Sequence, residues 1–122
     1  MKDLAKALIE HYLNMSGYPE KVRVYTRKQD FERAQAKSRE VVTVDRLDWA
    51  ISFVQPTAVP TTWFNLDRHS NAIELADTAA HEVVHHRWPG LGHGRLFSKR
   101  VKALLDGYRA PAPHRPLPEA FK

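Results

Sequence analysis

"HEVVHHRWPGLGHGRLF", residues 81–97, holds four of the seven histidines of the chain, and its punctuation decides how the surrounding residues fold. The apolar-periodic run from about Glu74 to Arg87 predicts a helix. Trp88-Pro89-Gly90 ends it, because a residue before proline is biased away from helical backbone and proline cannot continue the hydrogen-bond ladder. On a helical wheel with His81 at zero, His85 falls at about 40° and Glu82 at about 100°. Leu75, Ala76, Ala79, Ala80, Val83 and Val84 spread over roughly 120–300° on the same wheel. His81 and His85 therefore project away from the apolar stripe, one turn apart, and both imidazoles can reach a single ion. Glu82 is offset, so it can touch a water on that ion without ligating it.

This H-E-x-x-H spacing is the zinc-hydrolase arrangement, which requires a third protein ligand and an open position for water. Between Val83 and Leu117 the acidic residue is Asp106 alone, far along the last predicted helix. His86 points about 100° away from His85, which makes it a solvent-facing residue or a neighbour of the ligands. His93 remains: Trp88 to Gly92 can fold the chain back over the helix end, and the glycines at 92 and 94 allow tight backbone approach. The candidate metal ligands are thus His81, His85 and His93, holding one zinc ion per chain, with Glu82 as the catalytic general base. Asp77, one turn before His81, is placed to orient an imidazole. His86, Arg87 and Tyr108 are candidate donors to an oxyanion.

Outward from this stretch, Leu4, Ala5, Leu8, Ile9, Tyr12 and Leu13 mark an amphipathic helix that Asn14-Met15-Ser16-Gly17 ends. "KVRVYT" (21–26) alternates as a strand, and "DFERAQAKSRE" (30–40) is polar enough for a surface helix or an excursion. "VVTVDRLDWAISFV" (41–54) is β-rich, as two short strands or one broken strand, and "TTWFNL" (61–66) reads as another. After Gly94 a final amphipathic helix carries Leu96, Phe97, Val101, Leu104, Leu105 and Tyr108. Trp49, Trp63, Phe64 and Phe97 are expected in the core. The fold class is α+β: a small antiparallel or mixed sheet with an N-terminal helix, the H-E-x-x-H helix and a C-terminal helix.

The chain has 122 residues, 43% apolar and 27% charged, which fits one globular domain, expected over residues 1–109. A Pro-rich, flexible tail is expected over 110–122, where four prolines fall in the nine residues from Ala110. Lys2, Asp3, Lys6 and Glu10 interrupt the apolar residues at the start and no later run is long enough for a bilayer, so a cytoplasmic location and no membrane contact are expected. The absence of cysteine excludes disulfides, Cys-ligated zinc ribbons and thiol nucleophiles. Net charge is +5, unevenly spread: residues 21–39 and 95–122 each carry seven basic and two acidic groups, whereas residues 40–94 carry three and seven. Either these basic flanks are solvated faces, or Arg23, Arg27 and Lys28 with Lys99, Arg100 and Lys102 make a non-specific contact to DNA phosphates.

His81-Glu82-Val83-Val84-His85 followed by Gly92-His93-Gly94-Arg95-Leu96-Phe97 resembles the H-E-x-x-H…H-G-x-x-F signature of SprT-like zinc metallopeptidases, the group that includes the Spartan DNA–protein crosslink proteases. The resemblance covers about a quarter of the chain. It implies a minimal zincin-type fold, zinc on His81, His85 and His93, and Glu82 as general base. The spacing from His85 to His93 is short for the family, and its zinc ribbon and its ubiquitin- and DNA-binding segments are not found in these 122 residues. Two functions are expected in consequence. The first is a zinc endopeptidase acting on proteins at DNA, with an extended protein or peptide substrate pairing along "TTWFNL" as the sheet edge or with that strand central. The second is a zinc-stabilised module that binds nucleic acid or protein without cutting. Glu82 favours the first, since a closed structural site has no need of that carboxylate.

Overall fold

Ala5, Leu8, Ile9, Tyr12 and Leu13 recur at helical spacing and are all buried along one face of α1, Lys2–Ser16. The structure, a computed structural model, describes residues 2–37, 48–55 and 59–109. In it α1 stops where Gly17 takes φ +76°, a backbone that only a residue without Cβ enters freely. The Tyr18 N–H donates to Leu13 O at 3.1 Å and the Gly17 N–H to Asn14 O at 3.2 Å. These are the paired bonds of a Schellman turn, and they satisfy carbonyls the helix end leaves open.

Three strands follow, β1 (Arg23–Tyr25), β2 (Ala50–Phe53) and β3 (Thr61–Phe64), with α2 (Lys28–Lys37) after β1. Their order in space is β1-β3-β2, with β1 parallel and β2 antiparallel to β3. The class is α+β, as the sequence predicts, and the sheet is mixed. Register sorts the side chains by face. Ser52 lies opposite Thr62 and Ala50 opposite Phe64, and this face packs with the helices, where Phe64, Ala50 and Val24 join the main core. Trp63, Ile51, Phe53 and Tyr25 fall on the other face, where Phe31 of α2 stacks on Phe53 at 5.7 Å between ring centroids. "TTWFNL" is not a sheet edge: β3 is bonded on both sides and all four of its residues are buried. The strand bordering the helix that carries His81 and His85 is β2.

A 3₁₀ turn, Leu66–Arg68, leads to α3, Ala72–Arg87. The Asn71 side chain accepts from the Glu74 N–H at 2.9 Å and Glu74 Oε1 accepts from the Ser70 N–H at 3.3 Å, so both sides of the start are capped. At the other end Trp88, the residue before Pro89, leaves helical backbone at φ −130° and ψ 73°. Leu75, Ala79, Ala80, Val83 and Val84 of α3 are fully buried with Leu8, Ile9 and Leu104, each larger side chain contributing about 1.5–3 kcal/mol by leaving water. The last helix, α4, spans Arg95–Arg109 and packs on α3 and α1. Among the described residues no helix is long and apolar enough to cross a membrane. The expected strand residues 41–47 and the Pro-rich tail 110–122 lie outside the described residues.

Candidate metal centre

His81 and His85 sit one turn apart on α3, whose caps hold it in line against α1 and the sheet. His93 comes from the short connection to α4. After Trp88 the Leu91 N–H donates to Trp88 O at 3.0 Å, a turn that brings the chain back over the end of α3. The result is a cluster of three imidazoles: His85 Nε2 lies 3.1 Å from His81 Nε2 and 3.0 Å from His93 Nε2. Among the described residues this is the group of side chains able to hold a metal ion, with donor atoms all within 4.8 Å of one another. Phe97, 3% exposed, lies against all three, its ring centroid 4.6 Å from that of His81 and 4.8 Å from those of His85 and His93. Its ring thus packs against the imidazole cluster, a placement beyond the core filling expected of it.

Glu82 is 5% exposed and borders the same cleft as His81. Its Oε2 accepts a hydrogen bond from Ser52 Oγ at 2.8 Å. Behind Ser52 the contacts continue through Thr62 Oγ1 at 2.7 Å to His86 Nε2 at a further 2.7 Å. Burial pushes the Glu82 carboxyl up to about 7, against the opposing effect of the Ser52 hydrogen bond. Burial also lowers His85 to about 4, helped by the neighbouring His81 and His93, and lowers His81, helped by His93. Neutral imidazoles are the form that ligates a metal.

Several expected roles change. His86 is 2% exposed and bonded to Thr62, so it is neither solvent-facing nor an oxyanion donor. Its wheel angle of about 140° lies within the apolar stripe, a signal that measuring from His85 alone overlooks. Arg87 Nε donates to Ser16 O at 3.0 Å, tying α3 to the end of α1 and away from the imidazoles. Asp77 lines the cleft beside His81, but among the described residues no hydrogen bond joins it to an imidazole. Asp106 lines the groove on the other side of His81 and His93 and is not one of the three converging groups. A Cβ at Gly92 or Gly94 meets nothing within 4 Å, so tight backbone approach is not what these glycines serve. The Tyr108 side chain lies outside the described residues. Trp49 is not core: it is 41% exposed at the cleft wall, with the Arg68 guanidinium 5.1 Å from its ring centroid.

Two recesses flank the centre. One, of about 510 Å³, is lined by Asp48, Trp49, Glu74, Asp77, His81 and Glu82. The other, of about 940 Å³, carries Arg95, Lys99, Lys102 and Asp106 beside His81 and His93. Acidic groups thus dominate one side and basic groups the other. Arg100, assigned from sequence to the phosphate track, has its guanidinium 4.0 Å from the Trp88 ring centroid, and Arg23 is on β1, the sheet edge opposite β2. Compared with known proteins, the chain matches no family model, no curated protein and no solved structure.

Proposed function

We propose that the chain is a zinc-dependent peptidase of the SprT-like kind, with His81, His85 and His93 as ligands and Glu82 as general base. The observation that carries this reading is the convergence of three Nε2 atoms beside a buried carboxylate that opens on the same cleft. Two of the three separations, 3.0 and 3.1 Å, are close to the ~3.3 Å that a tetrahedral ion with nitrogen ligands at about 2.0–2.1 Å demands, and all the donor atoms lie within 4.8 Å of one another. Three imidazoles with no fourth protein donor among the described residues fit the ligand set of a catalytic rather than a closed structural site. Zinc held there supplies a water of lowered pKa and a Lewis acid for a peptide carbonyl.

The residues of the chain do the rest. Ser52 occupies Glu82 Oε2, which leaves the second carboxylate oxygen to take a proton from the attacking water and return it to the leaving amine. A carboxyl raised to about 7 is matched to both halves of that transfer at neutral pH. The side of β2 that no strand among the described residues pairs with, where Ala50 lines the cleft beside His81 and Glu82, is where an extended substrate strand pairs. Arg95, Lys99 and Lys102 supply a non-specific DNA contact adjoining the site, which favours proteins on DNA as substrates. The test is metal analysis together with cleavage of casein, DNA-binding proteins and the chain itself, with and without DNA. One zinc per chain with cleavage that chelation abolishes supports the reading; bound zinc without cleavage leaves a binding module.

A further inference from the structure

Four polar side chains, two from adjacent strands and two from one helix, form one line: His86 Nε2, Thr62 Oγ1, Ser52 Oγ and Glu82 Oε2, at successive distances of 2.7, 2.7 and 2.8 Å. Three of the four are at least 95% buried, with His86 at 2%, Thr62 at 0% and Glu82 at 5% exposure. Packing alone does not call for such a line, because a buried polar group is costly unless every member is satisfied. The inventory of donors allows two directions. In one, His86 Nε2–H donates to Thr62, Thr62 to Ser52, and Ser52 to the Glu82 carboxylate. In the other, a protonated Glu82 donates to Ser52, Ser52 to Thr62, and Thr62 to His86 Nε2, which places the imidazole proton on Nδ1.

His86 Nδ1 decides between them. It is buried and has no hydrogen-bond partner among the described residues. Either form leaves Nδ1 unsatisfied, but an orphaned buried N–H is rarer in folded proteins than an under-satisfied acceptor, and the Ser52 hydroxyl donates to Glu82 Oε2, as the first direction requires. We propose that His86, Thr62 and Ser52 are positioning residues for Glu82: a directed hydrogen-bond chain, starting from the Nε2–H tautomer of His86, that presents one carboxylate oxygen to the cleft and holds the other.

This rests on the reading of Glu82 as general base. The chain crosses from α3 to the sheet and back, through the one register that sets Ser52 opposite Thr62, so β2 and β3 fix the angle of a carboxylate borne by the helix. Ser52 has no other hydroxyl partner than Thr62 among the described residues, and Thr62 none other than Ser52. Loss of the Ser52 hydroxyl removes the bond that holds Glu82 Oε2, and loss of the Thr62 hydroxyl removes the partner that orients Ser52, while His81 and His85 are expected to keep their places.

The experiment combines ¹⁵N NMR of the full chain, loaded with zinc, with kinetics on a peptide substrate. Protonated and bare imidazole nitrogens differ in ¹⁵N shift, and His86 is expected as Nε2–H in the wild type, with that proton lost from Nε2 or exchanging between nitrogens in Thr62→Val. Ser52→Ala and Thr62→Val are expected to lower kcat about tenfold or more, the scale for removing an outer hydrogen-bond partner, with KM and zinc content unchanged. Thr62→Ser, which keeps the hydroxyl, restores kcat. Wild-type His86 protonated on Nδ1 overturns the proposal whether or not any variant folds, and so does an undiminished kcat in Ser52→Ala. If the wild type binds zinc and cuts nothing while His86 is Nε2–H and responds to Thr62→Val, the peptidase reading fails and the directed chain stands.

Discussion

His85 Nε2 and His93 Nε2 lie 3.0 Å apart although a helix end and eight positions separate the residues. With a third ring nitrogen, His81 Nε2, 3.1 Å from His85 Nε2, the three imidazoles converge closely enough to share one ion. Purified protein is expected to hold about one zinc per chain, and His81→Ala, His85→Ala or His93→Ala each to lower occupancy sharply, since two imidazoles make a poor site. Plasma emission analysis after dialysis checks this. Full zinc in His93→Ala would transfer the third position to Asp106, which lines the adjoining groove.

Glu82→Gln keeps the shape of the side chain and an oxygen for the Ser52 hydroxyl, but removes the basic oxygen. Zinc content and melting temperature are expected to stay near wild type while peptide cleavage falls by roughly 10²-fold or more. Equal cleavage by the two proteins assigns the base to another group.

The contrast between these two residues shows what the sequence makes legible. His81 and His85 follow from a local period of 3.6 residues, and His93 follows by elimination among the few candidates downstream, so the clustering of the three histidines can be read without coordinates. The elements holding it are also local: the cap at Asn71 and the stop at Trp88-Pro89 act within a few residues. Ser52 and Thr62 carry no such signal, because their partnership with Glu82 depends on the pairing of β2 with β3 and on that sheet meeting α3. Trp49 misleads for a related reason: a large aromatic is usually buried, but position 49 falls at the mouth of the cleft, where Arg68 and His69 flank the ring.

Phe97 supports three imidazoles at once and is almost completely buried. Phe97→Ala is expected to cost about 3–5 kcal/mol of folding stability, the usual range for such a truncation, and to weaken zinc binding as well. Phe97→Leu, which refills part of the volume, is expected to fall between that and wild type in both. Ile73→Ala, at a position 66% exposed, serves as the control with little change. Thermal melts with and without zinc separate the two effects; unaltered affinity in Phe97→Ala reduces the ring to core filling.

Three desolvated histidines, His86 buried and His81 and His85 half-buried, set a pH dependence for the metal-free protein. Burial holds His85 and His86 at about 4 and lowers His81, whereas in the unfolded chain each returns to about 6.5. Between about 4 and 6.5 the unfolded state therefore binds protons that the folded state does not, and stability falls as pH drops through that window. Glu82 runs the other way: raised from 4.5 to about 7, it binds its proton more tightly when folded, a contribution lost as pH rises between those values. Three lowered histidines outweigh one raised carboxyl, so the melting temperature is expected to be lower at pH 4.5 than at pH 6.5. His86→Gln, which removes one of the three, narrows the difference. A profile that is flat or inverted in the wild type contradicts this balance.

Arg95, Lys99 and Lys102 on α4 line the groove next to His81 and His93, so a nucleic-acid phosphate drawn there comes close to the metal centre. Arg100 is held over Trp88, and Lys28 is within 3.8 Å of Glu32, which leaves the three groove residues as the strongest part of the contact. Binding to DNA is expected to be independent of sequence and to weaken steeply with salt, each neutralised phosphate adding about −0.9 to the log–log slope on duplex and about −0.7 on single strands. Stacking is expected to add little strand preference, because Trp63, Phe64 and Phe97 are buried and the exposed Trp49 stands in the acidic cleft with Arg68 against its ring. Reversal of Arg95, Lys99 and Lys102 to Glu is expected to flatten the slope by up to three such increments, with zinc content unchanged. Fluorescence anisotropy of a labelled duplex over a salt series measures it. Equal slopes for wild type and the triple variant, or no binding by either at low salt, make this face of α4 a solvated one and remove DNA from the proposed function while leaving the three histidines and Glu82 untouched.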